Sequence, residues 1–270
     1  MQETIAISVF DLGLAAALVM LLALLTQKLG LGIGKSMVIA ALRTFIQLWL
    51  VGLVLSFVFT RSDLLWVAAI ALFMVLIAGR EVMARQERRF AGPWGYGLGA
   101  ISLFVSSFVV TLLTLLVIIN AKPWYEPRYA IPLLGMILGN TMTGIALALD
   151  NLTQLACQQR GVIEARLMLG QDGRTALSQF RRQSVHSAMI PIINAMAAAG
   201  VVSLPGMMTG QILAGQAPLE AVTYQILVMF LITFATGVGT LIAIRLGERR
   251  LFDERERLRL DHLLGGPPAP

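Results

Sequence analysis

Long apolar runs separated by short charged segments dominate the chain. Seven of these runs approach the roughly twenty residues that a helix needs to cross a lipid bilayer. They cover residues 8–27, 36–59, 63–80, 98–119, 130–156, 187–204 and 219–246. The pattern predicts an all-α, polytopic membrane protein with about seven transmembrane helices.

Lys and Arg gather on one side of these predicted spans. Eighteen of the 21 Lys and Arg residues fall on that side, and the other side holds Arg61, Lys122 and Arg128. Because cytoplasmic loops carry the excess of Lys and Arg, the pattern predicts an outside N-terminus and a cytoplasmic C-terminus in a bacterial inner membrane. The same bias explains the net charge of +6 without nucleic-acid binding.

The composition leaves no room for an attached catalytic domain. The 270 residues are 57% hydrophobic and 13% charged, whereas a soluble domain carries about a quarter charged residues. The spans contain no paired acids, nucleophile–His pair or His cluster, so we predict that the chain is not an enzyme. We expect one transmembrane domain over 1–246, with a cytoplasmic segment at 157–186 and a cytoplasmic, helical or disordered tail at 247–270.

One predicted cytoplasmic segment, EARLMLGQDGRTALSQFRRQ at 164–183, looks helical but is too polar to cross a membrane. Gly170 suits the left-handed position that ends a helix, and Asp172 can cap a second helix that begins at Gly173. Each helix has an apolar face, formed by Val162, Ile163, Leu167 and Met168 and by Leu177, Phe180 and Ser184. Two interpretations are open: an amphipathic helix that rests on lipid, or a docking site for a cytoplasmic partner.

Glu164, Ala165, Leu169 and Gly170 resemble the EAA loop, the coupling helix of ABC-transporter permeases, although Arg166 stands where that loop has a second Ala. Three further segments closely resemble the FetB-type permeases: ALRTFIQL at 41–48, GMILGNTMTGIALALDNL at 135–152 and GVVSLPGMMTGQILAG at 200–215. That family includes bacterial iron-export permeases and plant aluminium-tolerance permeases. The resemblance covers nearly all of the chain from about 36 to 245.

The resemblance implies the permease subunit of an ABC transporter. It implies a homodimer that pairs with a separate cytoplasmic ATPase, with ATP on that ATPase and no cofactor on this chain. Export is implied, with iron as the first candidate substrate and another metal or a small organic solute behind it. An import-type permease and a membrane scaffold without transport stay open as alternatives. The run LGLGIGKS at 29–36 is not a P-loop, because Leu29 stands where the first Gly is required.

Asn140 and Thr143 are candidate pathway residues on the fifth predicted span. An amide at this depth must face protein or a cavity, since lipid offers it no hydrogen-bond partner. The same span carries small residues at steps of four, which allow close helix packing: Gly135, Gly139 and Thr143, and Asn140, Gly144 and Ala148. Asn194 is a further candidate, because the resemblance implies a carboxylate there and a basic residue at the position of Ala197.

The apolar run 187–216 is too long for one span and too short for two. Pro205 and Gly206 are predicted to break it, leaving a span that ends near residue 204 and a short half-helix from about 207 to 215. Broken helices often line substrate paths. Met207 and Met208 in this half-helix are therefore candidate pathway residues with soft thioether groups, and the metal ligands remain unassigned.

Overall fold

The computed structural model describes residues 8–61, 63–120 and 122–264. In these ranges the chain is helical, with isolated β-bridges as its only extended pairing. The helices are α1 (Val9–Lys28), α2 (Gly34–Arg61), α3 (Leu64–Ala84), α4 (Pro93–Ile118, with π-helical turns at Phe104–Phe108 and Thr114–Ile118), α5 (Pro127–Gln158), α6 (Arg160–Met168), α7 (Gly173–Ala176), α8 (Ser178–Ala198), α9 (Gly206–Leu213) and α10 (Pro218–Leu251). The prediction of an all-α membrane protein is confirmed.

Six of these helices are long and apolar enough to cross a membrane: α1 to α5 and α10. The seventh predicted span, 187–204, is not among them. Its residues enter α8, which begins nine residues earlier at Ser178 and ends at Ala198. The part of the predicted span that lies in α8, residues 187–198, rises by about 18 Å, which is short of the ~30 Å hydrocarbon core.

The sequence predicted that Pro205 and Gly206 break the helix. In the structure α8 ends before them, at Ala198. The chain leaves the helix at Ala199, and Gly200 adopts a left-handed φ of +81° that residues with a side chain rarely take. The Gly200 amide donates to the Ser203 carbonyl over 2.9 Å, which closes the turn. Pro205 and Gly206 instead stand at the start of α9, the short helix of the predicted broken region.

The chain divides into two compact units, one made of α1, α2 and Leu213–Gly215 and the other of the remaining helices from Leu64 onwards. In the first unit, the Ser8 hydroxyl accepts a hydrogen bond from the Asp11 amide, and the Asp11 carboxylate accepts one from the Ser8 amide. This reciprocal cap starts α1. At the other end, a Cβ on Gly34 would stand 2.7 Å from the Ala23 carbonyl oxygen. LGLGIGKS therefore forms a tight turn between two helices.

In the second unit, α5 packs on α10 through glycines. A Cβ on Gly144 would lie 2.6 Å from the Thr236 methyl group, and a Cβ on Gly239 would lie 2.7 Å from the Thr141 methyl group. Small residues permit this approach in lipid, where apolar burial gives helices little driving force to associate. The predicted close packing is confirmed at Gly144. It is not found at Gly139, whose Cβ would have no other atom within 4 Å.

The C-terminal residues fold back instead of forming the predicted solvated helix. α10 ends at Leu251, and Phe252 then pairs with Leu258 in an antiparallel β-bridge. A second bridge joins Leu263 to Phe90 in the α3–α4 loop. We call residues 252–263 the C-terminal hook, and its leucines are buried: Leu258, Leu260 and Leu263. The alternating charge signs of this tail favour a solvated helix that extends the last span, but such a pattern carries no information about burial by distant residues. Residues 265–270 lie outside the described residues.

The α5–α10 contact gives a stability prediction. Gly144→Val should lower the free energy of unfolding by about 1–3 kcal/mol, because the new side chain overpacks the contact with Thr236. Gly139→Val, five residues away on the same helix, should leave it nearly unchanged, since that position is open. Thermal unfolding of the detergent-solubilised variants measures both effects. Equal losses in the two variants would contradict the glycine contact.

Candidate coupling and pathway sites

The segment between α5 and α8 is a folded helix–turn–helix. α6 ends at Met168, and Gly170 follows with a left-handed φ of +86°. The Leu169 amide donates to the Ala165 carbonyl over 3.1 Å, and the Gly170 amide donates to the Leu167 carbonyl over 2.9 Å. These bonds satisfy carbonyls that the end of the helix would otherwise leave without partners. We call residues 160–176, from α6 to the end of α7, the coupling segment.

Asp172 caps α7, as its position in the sequence predicted. Its carboxylate accepts a hydrogen bond from the Thr175 amide over 3.3 Å. Hydrogen bonding from Thr175 to the ionised carboxylate lowers the pKa of Asp172 below its ordinary value. The cap is therefore charged at neutral pH, and it fixes where the second helix begins.

The apolar faces of α6 and of the start of α8 are partly buried in protein, and Val162 on α6 is 43% exposed. Ile163 and Leu177 are fully buried and Phe180 is 5% exposed, all within the core of the larger unit. Ser184 is buried beside them, and its hydroxyl donates to the Phe180 carbonyl over 2.8 Å. The buried part of this face attaches the segment to the rest of the unit. Val162 and Met168 remain available for contact with lipid or with a partner protein.

Two apolar side chains at the tip of the coupling segment are not buried. Met168 is 83% exposed and Leu169 is 82% exposed, next to the left-handed Gly170. Sequence reasoning named Leu169 as a contact residue and placed Met168 on the apolar face of the first helix. The pair of adjacent apolar residues directly before the turn glycine was the signal available for both. Exposed apolar side chains next to each other are typical of sites that contact another protein or a membrane.

Glu164 and Ala165, the other two predicted coupling residues, lie on α6 before the tip. The Glu164 carboxylate forms a 2.7 Å ion pair with Arg160, one helical turn earlier, and remains 40% exposed. Ala165 is exposed. The structure thus brings Glu164, Ala165, Leu169 and Gly170 into one short surface element.

Arg166 holds the coupling segment together. Its guanidinium donates to the Ala176 carbonyl and to the Gln179 side chain, both over 2.9 Å, and lies 5.6 Å from the centre of the Phe180 ring. A planar guanidinium can make these contacts together, which a small side chain could not. The residue that departs from the EAA pattern therefore joins α6 to α7 and α8.

The candidate pathway residues lie on three helices, α5, α8 and α9. Asn140 is exposed on α5, and its amide donates to the Met136 carbonyl over 2.9 Å. Thr143, three residues later, donates to the Gly139 carbonyl over 3.1 Å and accepts from the Arg85 guanidinium over 3.4 Å. These two residues share one side of α5.

Asn194 is exposed and lies on a different helix, α8. Met207 is half-buried and Met208 is 8% exposed, so the two adjacent thioethers of α9 have different surroundings. In the described ranges, no group of three or more His, Cys, Asp and Glu side chains is arranged to hold a metal ion.

A polar cluster at the end of α5 was missed from the sequence. The Asp150 carboxylate accepts a hydrogen bond from the Glu87 amide over 2.8 Å. The Gln154 side-chain amide donates to both carboxylates, over 2.9 Å to Asp150 and 3.0 Å to Glu87. The cluster joins α5 to the chain just after α3. The spacing of Asp150 and Gln154, one helical turn apart, was its only local signal, because Glu87 is remote in the sequence.

The comparisons with known proteins agree with this architecture. The family model described as "Uncharacterised protein family (UPF0014)" matches residues 9–252. The chain belongs to the UPF0014 family. The match covers all ten helices and ends at the first residue of the C-terminal hook.

Relatives of this UPF0014 chain come from bacteria and plants. It is 36% identical to "UPF0014 membrane protein slr1647" of Synechocystis over 92% of its own length and 93% of the relative's. It is 33% identical to "Probable iron export permease protein FetB" of Escherichia coli, over 94% and 95% of the two chains. "Protein ALUMINUM SENSITIVE 3" of Arabidopsis thaliana is 34% identical over 84% and 81%. No solved structure matches the chain.

The Arg166 contacts predict how firmly the UPF0014 coupling segment is held. Arg166→Gln should speed trypsin cleavage after the exposed Arg174 roughly tenfold, because losing charge-assisted hydrogen bonds raises the population of the open segment. Mass spectrometry of the fragment that ends at Arg174 measures the rate. Arg182→Gln, at an exposed position on α8, is the control and should leave that rate unchanged. An unchanged rate in Arg166→Gln would show that the Arg166 contacts do not hold the segment closed.

Proposed function

We propose that this chain is the permease subunit of an ABC exporter, working as a homodimer with a separate cytoplasmic ATPase. The observation that carries the proposal is the exposed Met168–Leu169 tip on a segment that Ile163, Gly173 and Ala176 anchor in the protein. The resemblance of this segment to an EAA loop and the name of the Escherichia coli relative support the same assignment. In this proposal the ATPase binds ATP and the chain supplies the transmembrane route.

The tip and the buried face of the coupling segment would have separate tasks. Met168 and Leu169 would enter a pocket on the ATPase, while Ile163 and Leu177 would transmit the resulting force into the transmembrane helices. A short apolar anchor gives binding energy at the centre of an interface. A segment that is packed into the protein core moves as one body with it, because packed cores resist deformation.

The proposed orientation is an outside N-terminus and a cytoplasmic C-terminus in a bacterial inner membrane, supported by the Lys/Arg distribution. It requires an odd number of crossings, so α8 would be the seventh. α8 has 21 residues, a rise of about 31 Å, which matches the ~30 Å hydrocarbon core. Arg182 in its first turns would then reach the cytoplasmic interface with its flexible side chain, while Arg181 keeps its ion pair with Glu248.

Iron is the first candidate substrate because the Escherichia coli relative is named as an iron-export permease. The candidate pathway side chains, Asn140, Thr143, Asn194, Met207 and Met208, are uncharged. Such a route can offer oxygen and thioether contacts to a metal ion or to a polar organic solute. The neutral Asn194, in place of the carboxylate that the family resemblance implies, is the residue that bears most directly on this choice.

Gly170 tests the proposed docking site. Gly170→Val should reduce the amount of cognate ATPase that co-purifies with the chain by about tenfold, because a β-branched residue at φ +86° forces the turn to change shape. Gly161→Val is the matched control. Gly161 is also exposed, and a Cβ there also meets no atom within 4 Å, but its φ is an ordinary one.

The outcomes separate the competing functions. Normal ATPase binding by the unaltered chain and by Gly161→Val, with a loss only in Gly170→Val, supports the coupling site. Full retention by Gly170→Val would refute it. No ATPase on the unaltered chain would refute the transporter assignment and favour a membrane scaffold.

Cys157 tests the orientation. It lies near the end of α5, directly before the coupling segment, and its thiol is partly exposed. A membrane-impermeant maleimide should label it in inside-out vesicles but not in intact cells, since the proposed orientation puts it on the cytoplasmic side. Labelling in intact cells would reverse the topology.

A further inference from the structure

The C-terminal hook is bonded directly to the coupling segment. The Glu256 carboxylate accepts a hydrogen bond from the Gly173 amide over 2.7 Å, at the first residue of α7. Gly173 is buried, and a Cβ on it would lie 2.8 Å from the Phe252 ring and 2.7 Å from the Glu256 carboxylate. The coupling segment therefore has a glycine where the hook packs against its backbone.

Glu256 makes this bond from an unfavourable backbone conformation. Its φ is +57°, in the left-handed region that favours Gly or Asn. The turn itself is built by Asp253, whose carboxylate accepts from the Arg255 and Arg257 amides, each over 2.9 Å. Hydrogen bonding from the Arg257 amide lowers the pKa of Asp253, so it carries charge at neutral pH. A glutamate kept at a strained position indicates that its side chain is used.

The other end of the hook is attached to the α3–α4 loop. The Ala91 amide donates to the His262 carbonyl over 2.7 Å, and the Leu264 amide donates to the Arg89 carbonyl over 2.8 Å. Between these bonds Phe90 is buried against Leu263. The hook thus joins the beginning of α7 to the start of α4, two elements that are separated by about eighty residues of chain.

An ion pair makes a parallel connection. Arg181, in the first turn of α8, lies 3.1 Å from the Glu248 carboxylate near the end of α10. The Glu248 side chain is 7% exposed, so water screens this pair only weakly. The coupling segment and the helix that follows it are therefore tied to α10 and its hook at two points.

We propose that the C-terminal hook is a latch that transmits movement of the coupling segment to α10 and the α3–α4 loop, with Glu256 as its positioning residue. This inference rests on the proposed function. Nearly all of the hook follows the residues that the family model matches, which end at 252. The ATPase would contact the exposed tip at Met168 and Leu169, and the hook would carry the resulting movement into the membrane.

The test separates binding of the ATPase from coupling to it. Glu256→Gly removes the carboxylate and relieves the strained φ, whereas Glu256→Gln keeps a side-chain oxygen that can accept from the Gly173 amide. The complex of full-length chain and cognate ATPase is purified in lipid nanodiscs. Three quantities are measured: retained ATPase, thermal stability, and the change in ATP hydrolysis rate that the permease imposes on its ATPase.

We expect the amount of ATPase retained by Glu256→Gly to stay within about twofold of that retained by the unaltered chain. The permease-dependent change in the ATP hydrolysis rate should become roughly tenfold smaller, which is the scale of one hydrogen bond. Glu256→Gln should restore most of it. Gly173→Ala should reproduce the loss, because the new Cβ on the coupling segment would displace Phe252 and Glu256 of the hook. Glu254→Ala, two residues away in the same turn and exposed, is the control.

A role confined to the shape of the turn gives a different result. Glu256→Gly would then be as stable as the unaltered chain or more so, with unchanged ATP hydrolysis, and the latch would be refuted. Equal impairment in Glu256→Gln and Glu256→Gly would also refute it. Failure of the unaltered chain to bind any ATPase would refute the proposed function itself, which is a distinguishable outcome.

Discussion

The contact between α5 and α10 at Gly144 and Gly239 is the constraint on which the larger unit depends. In lipid the hydrophobic effect does not drive helices together, so close backbone approach and dispersion must do so. The same contact buries hydroxyl groups that make no hydrogen bond within the described part of the protein: Thr141, Thr236 and Thr240. An unpaired buried hydroxyl costs about 1–3 kcal/mol. The contact is therefore tightly packed but less stabilising than its packing alone would make it.

The coupling segment, the end of α10, the hook and the α3–α4 loop lie at the end of this unit that is rich in charged residues. They are held together by one continuous apolar core. Ile163 of the coupling segment, Leu251 at the end of α10, Leu260 of the hook and Phe90 of the α3–α4 loop belong to one buried cluster. Three regions far apart in sequence thus depend on each other for burial. Removing apolar area from water stabilises each contact by roughly 25 cal/mol per Å². The tip at Met168 and Leu169 is exposed and does not belong to this cluster.

The polar side chains in the middle of α5 form hydrogen bonds within their own helix. Asn140 and Thr143 satisfy part of their hydrogen-bonding capacity on carbonyls of their own helix. Such bonds let a polar residue lie in a transmembrane helix at low cost, and they leave further lone pairs for a ligand. The polar chemistry of α5 is therefore compatible with both packing and transport. The Arg85 guanidinium, which donates to Thr143, brings a positive charge beside this pair.

The sequence by itself determined the features whose causes are local. Apolar run length fixed the all-α, membrane-spanning class, because a backbone in lipid must satisfy its own hydrogen bonds. Gly170 and Asp172 marked the end of one short helix and the cap of the next, since left-handed turns and N-caps need particular residues.

Only the tertiary structure decided the features that depend on distant partners. It ended α8 near Gly200 rather than at Pro205, and it turned the predicted C-terminal helix into a hook held by the α3–α4 loop. It also separated the buried Ile163 from the exposed Met168, although both lie on one short amphipathic helix. Helical periodicity identifies an apolar face but does not show how much of that face the rest of the chain covers. That depends on Phe90, Leu260 and the other distant residues that complete the core.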